Sequence, residues 1–123
     1  MASAMADLAA LITAVWGVAH AVPTLSVLRS FEPISDDNRR VVLQEWTAEA
    51  FTMWGIAALV VAVTLAGSGS DAADAAYAAA AGLLVALAIL TVFTGGRTPV
   101  IWFKICPVLL SISAALLVAA IVA

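Results

Sequence analysis

The chain has 123 residues, of which 65% are hydrophobic and only 11% charged, with a formal net charge of −3. A soluble domain carries about a quarter charged residues, so this composition cannot cover a globule with polar surface, and part of its solvent must be lipid. The acids cluster in loops and at helix starts, which excludes a nucleic-acid-binding patch, and the one cysteine, Cys106, excludes an internal disulfide, a CxxC pair and the four-helix quinone reductases that depend on paired cysteines.

A spanning helix takes roughly 20 apolar residues. The first such stretch covers residues 5–28 and contains Pro23 near its end. Its Ala19-His20-Ala21 triplet imitates a leader cleavage site, but no Lys or Arg precedes the apolar run, so the expectation is an uncleaved helix. The second stretch covers residues 41–66. Ser35-Asp36-Asp37 offers N-cap side chains before it. A helix starting there is longer than the hydrocarbon core is thick, so its first turns should project beyond or tilt along the membrane surface. Gly67-Ser68-Gly69-Ser70 reads as a flexible turn. The third stretch, residues 72–93, is almost entirely Ala up to Gly82. Ala78, Gly82 and Ala86 recur at four-residue spacing, the small-xxx-small pattern that lets helix backbones approach. A packing face is expected there, within the bundle or between copies of the chain as a homo-oligomer. Gly95-Gly96 ends this stretch, and Pro99 suits the start of the fourth, residues 100–122. In lipid each segment must satisfy its own backbone, and no period-2 alternation supports a barrel. The expected fold is all-α: an integral membrane four-helix bundle, one four-span domain over residues 1–123.

All five basic residues fall in two of the connections. Arg29, Arg39 and Arg40 follow the first span, and Arg97 and Lys104 lie between the third and fourth. The connection between the second and third holds only Asp71 and Asp74. The positive-inside rule then places both termini on the non-cytoplasmic side of a cell membrane that the chain crosses repeatedly.

Ionisable residues inside a membrane are costly and mark candidate sites. His20 lies nine residues before Arg29, roughly 13 Å deeper along a helix. Glu45 and Glu49 sit one turn apart on one helix face, which Thr52 extends. Trp16 is four residues before His20 on the same face, and Trp54 lies deeper than Glu49. Arg97 and Lys104 are expected at the mouth of this region. Pro23 and Pro107 each free a helix carbonyl in the same layer. Trp46 and Trp102 fit an interfacial aromatic belt, and Cys106 a small core position. The bland alternatives pair Glu45 with Arg39 or Arg40, and Glu49 with Lys104 or Arg97.

A Trp–His–Glu–Glu lining suits an apolar ligand with one polar handle. The reading is therefore a cytoplasm-facing intramembrane pocket lined by Trp16, His20, Glu45, Glu49, Thr52 and Trp54, for a hydrophobic small molecule or a membrane lipid. His20, Glu45 and Glu49 are also the candidates for acid–base catalysis on a lipid-soluble substrate, as in membrane isomerases of the sterol type. Proton-coupled transport is a further option. Small four-span exporters resemble the chain in length and span count, but they keep an essential Glu in their first helix, where this chain has only Asp7. A non-catalytic membrane subunit is the remaining option; DoxX-like four-span proteins share the size and layout, without a residue pattern in common. No cofactor is called for, and a metal is not expected from a chain with one His.

Overall fold

A computed structural model describes residues Met1–Ala123. The chain forms α1 (Ala2–Ala21), α2 (Thr24–Ser30), α3 (Asp36–Gly67), α4 (Asp71–Phe93), a 3-10 turn (Gly95–Arg97) and α5 (Ile101–Val122), with no strand. Four of these helices, α1, α3, α4 and α5, are long and apolar enough to cross a membrane.

The helix boundaries follow local chemistry. Ser35 Oγ accepts the Asn38 N–H at 3.2 Å, and Ser70 Oγ accepts the Ala73 N–H at 3.2 Å, so α3 and α4 both start on a serine cap. Asp36, Asp37, Asp71 and Asp74 occupy their first turns, where a carboxylate complements the helix dipole. The first apolar stretch is not one helix to Leu28. Pro23 has no N–H to continue the ladder, so the helix stops at Ala21 and restarts as α2. Pro107 sits within α5 without ending it. At 32 residues α3 is roughly 48 Å long, so it outruns a hydrocarbon core of about 30 Å.

Packing is built on small residues. α1 lies between α3 and α5, α4 packs along α5, and a lighter contact between α3 and α4 closes the bundle. Ala6, Ala9 and Ala10 of α1 meet Ile56, Ala57 and Val60 of α3, together with Ala80, Ala81 and Leu84 of α4 and Leu110, Ala114 and Leu117 of α5. Short side chains let the backbones approach, and dispersion contact replaces the hydrophobic drive that lipid cannot supply. Tyr77 is fully buried, with its hydroxyl 2.6 Å from that of Thr64. Thr64 itself donates to the Val60 carbonyl, so Tyr77 is the donor to Thr64.

Only 25 of 123 residues are buried, and the outer surface is apolar: Leu11, Val15, Phe51, Ile89, Phe93, Val108 and Val118 are each more than half exposed. Water does not tolerate an unbroken belt of this kind, whereas lipid does. The fold is that of a multi-pass membrane protein. The small-residue stripe of α4 belongs to this outer belt. Ala78, Gly82 and Ala86 are all exposed, and a Cβ added to Gly82 would meet nothing within 4 Å. The inward face of α4 is instead Ala73, Tyr77, Ala80, Ala81, Leu84, Ala88 and Thr91, so the stripe serves no packing within the bundle.

Short connections make successive spans alternate in direction. The end of α1, all of α2, the start of α3, the end of α4 and the start of α5 therefore gather at one end of the bundle. All five cations, Arg29, Arg39, Arg40, Arg97 and Lys104, belong to these segments or to the 3-10 turn between the last two.

Candidate functional site

At the cation-bearing end a cavity of about 490 Å³ opens between α1, α3, α4 and α5, with Trp16, His20, Pro23, Trp46, Glu49, Trp102, Phe103 and Cys106 among its lining residues. Its position follows from the break in α1. With Pro23 ending the helix, the His20 carbonyl drops out of the backbone ladder and accepts the Trp46 indole N–H at 3.0 Å. Thr24 Oγ1 donates to the Ala21 carbonyl at 2.5 Å, which satisfies a second group at the junction. A second indole from α3 does similar work deeper in the bundle: Trp54 Nε1–H donates to the Ala14 carbonyl at 3.2 Å. Its ring lies against Gly17, where an added Cβ would come within 2.7 Å of Nε1 and 2.8 Å of Cδ1. The two tryptophans thus fasten α3 to α1 at two levels.

The polar end of the cavity is a pair. His20 Nε2 lies 3.5 Å from Glu49 Oε2, with the His20 side chain 8% exposed and that of Glu49 30% exposed. The approach lacks hydrogen-bond geometry, and Nε2 has no other partner. The imidazole is stacked on Trp46, with ring centroids 4.1 Å apart and planes at 17°. Phe103 meets Trp46 edge-on at 6.0 Å and 77°. Trp16 closes the other side, its Nε1–H directed at Cys106 Sγ 3.1 Å away on α5. Thr91 Oγ1 donates to Leu87 O at 2.9 Å and lies 4.0 Å from the same sulfur. Gly95 gives Phe103 its room, since a Cβ there would sit 3.0 Å from the ring.

Of the residues singled out from sequence, Trp16, His20 and Glu49 line this cavity together. The other residues expected to line the pocket or its mouth lie elsewhere. Glu45, one turn nearer the bundle end, is exposed and accepts only a long bond from Gln44 Nε2 at 3.4 Å. Thr52 donates to Ala48 O of its own helix at 2.8 Å. Trp54 is the clasp on Gly17 and does not line the cavity. Arg97 lies over the Phe93 ring, 5.4 Å from its centroid. Lys104 lines a separate open groove on α5 with Gly96, Pro107 and Ser111. Neither cation pairs with Glu49, and Arg39 and Arg40 bond Glu32 and Asp37 rather than Glu45. His20, Glu45 and Glu49 do not converge as a set of metal ligands.

Two lining residues carry more than the sequence assigned them. Trp46 is the stacking partner and carbonyl donor of His20 rather than only a belt residue, and Cys106 is an acceptor on the cavity wall as well as a core residue.

No family model, no curated protein and no solved structure matches the chain. Fold and composition define its class, a small multi-pass membrane protein of four apolar helices.

Proposed function

We propose that this protein binds a hydrophobic or amphipathic small molecule in the cavity around His20 and Glu49. The observation that carries the reading is a buried imidazole whose Nε2 has no hydrogen-bond partner, 3.5 Å from a half-buried carboxylate on the wall of a cavity of about 490 Å³. Structural polar groups at membrane depth satisfy one another, because an unpaired one is costly. This pair leaves capacity open, and the surrounding walls are aromatic and aliphatic. The volume lies within the range of roughly 300–1,000 Å³ found for small-molecule sites. The five cations share the cavity's end of the bundle. By the positive-inside rule that end is cytoplasmic, the membrane is the cell membrane, and the ligand arrives from the cytoplasm or the inner leaflet.

Ala19 lines the cavity and is not buried, so a larger side chain there is expected to occupy part of the space. The native chain purified in mild detergent should retain a small-molecule adduct in native mass spectrometry. Ala19→Phe should lose that adduct at an unchanged melting temperature. An equal adduct on both chains, or none on the native chain, overturns the reading.

A further inference from the structure

We infer that the cavity's occupant is a lipophilic organic cation, an ammonium or similar onium group carried on an apolar body; this rests on the cavity being a binding site. The argument starts from a charge inventory. The Glu49 carboxylate is the one acidic group on the cavity wall. Every permanent cation of the chain is committed elsewhere or points away. Arg39 bonds Glu32 at 3.2 Å, Arg40 bonds Asp37 at 3.4 Å, Arg97 covers Phe93, Lys104 faces the outer groove, and Arg29 is exposed at the end of α2. The one ion-pair contact of Glu49 is with His20, 3.5 Å away. A carboxylate at this depth without a fixed counter-charge favours a cationic guest over a neutral one and repels an anion.

The walls point the same way. Trp16, Trp46, Trp102 and Phe103 share the cavity wall with this one carboxylate. Indole and phenyl faces attract a desolvated cation through the ring quadrupole, and aromatic walls are a recurring means of holding alkylammonium groups. Trp46 is fixed by its bond to the His20 carbonyl and Trp16 by its contact with Cys106, so two of the rings are already held in place before any guest arrives. An N–H-bearing cation can also donate to Glu49, whose carboxylate lies beside the unpartnered Nε2 of His20.

The test uses the full chain in phosphatidylcholine nanodiscs, titrated with tetraphenylphosphonium and with its neutral relative triphenylphosphine oxide, with empty nanodiscs subtracted. Saturable binding of the phosphonium at least tenfold tighter than that of the oxide is expected on the native chain. Glu49→Gln should remove that preference. Glu45→Gln, which makes the same charge change outside the cavity, should leave it in place. Equal saturable binding of the two probes, or a preference that survives Glu49→Gln, overturns the cationic occupant and leaves the cavity standing as a site for neutral molecules. Saturable binding of neither probe, with Ala19→Phe binding the same native adduct as the unmodified chain, overturns the cavity reading as well.

Discussion

His20 is held by one neighbour in two ways: Trp46 covers the face of its imidazole, and the same indole donates its N–H to the His20 carbonyl. The carbonyl is available because Pro23 ends α1 one turn later. Trp46→Phe separates these roles, since phenylalanine keeps an aromatic face but has no donor. The freed carbonyl lies where water is scarce, so the substitution should lower stability by about 1 kcal/mol, read as a fall in melting temperature in detergent. An unchanged melting temperature would mean that the carbonyl has found another partner and that the bond is dispensable. His20 and Glu49 were legible in the sequence because ionisable residues stand out in an apolar span. Trp46 was not, since an indole at that depth reads equally as an interfacial belt residue; only its partner, 26 residues away on another helix, decides between the two.

Helices α1 and α4 both use small residues, with opposite consequences. Gly17 of α1 faces the core and receives the Trp54 ring, whereas Gly82 of α4 faces outward with nothing within 4 Å of an added Cβ. Gly17→Ala should therefore destabilise the isolated chain by about 1–3 kcal/mol, the usual cost of overpacking a close contact. Gly82→Leu should change stability by less than about 0.5 kcal/mol, as expected for a substitution away from any packed feature. Thermal melts of both variants in the same detergent check the contrast, and a reversed order would mean that α4 is rotated from the orientation described. The four spans themselves were readable from length and hydropathy, because helix is the only open-ended structure that satisfies its own backbone in lipid. Which face of an Ala-rich helix turns inward was not readable. Ala73, Ala80, Ala81 and Ala88 are buried while Ala78 and Ala86 are exposed, and residue type does not distinguish the two groups.

At the scale of the whole molecule, the segregation of charge is the feature that sequence and fold share. The cavity is lined by the last turns of α1, the first half of α3, the end of α4 and the start of α5, and the five cations lie on or next to these elements at the same end of the bundle. Glu49 lies 18 residues from the far end of α3 at Gly67, roughly 27 Å along the helix, so with Gly67 at one boundary of a hydrocarbon core about 30 Å thick Glu49 falls just inside the other. The cavity therefore opens near one membrane surface, and its side depends on the orientation of the chain. Retaining Arg29, Arg39, Arg40, Arg97 and Lys104 on the cytoplasmic side predicts that the three-residue turn between α3 and α4 lies outside. Cys106 is buried, so the native chain gives little background to a thiol reagent. Ser68→Cys in that turn and Asn38→Cys at the start of α3 both introduce exposed thiols. With intact cells and a membrane-impermeant maleimide, Ser68→Cys should label at once, and Asn38→Cys only after permeabilisation. The opposite pattern would turn the bundle over, move the mouth of the cavity to the outer surface, and require its ligand to come from outside the cell.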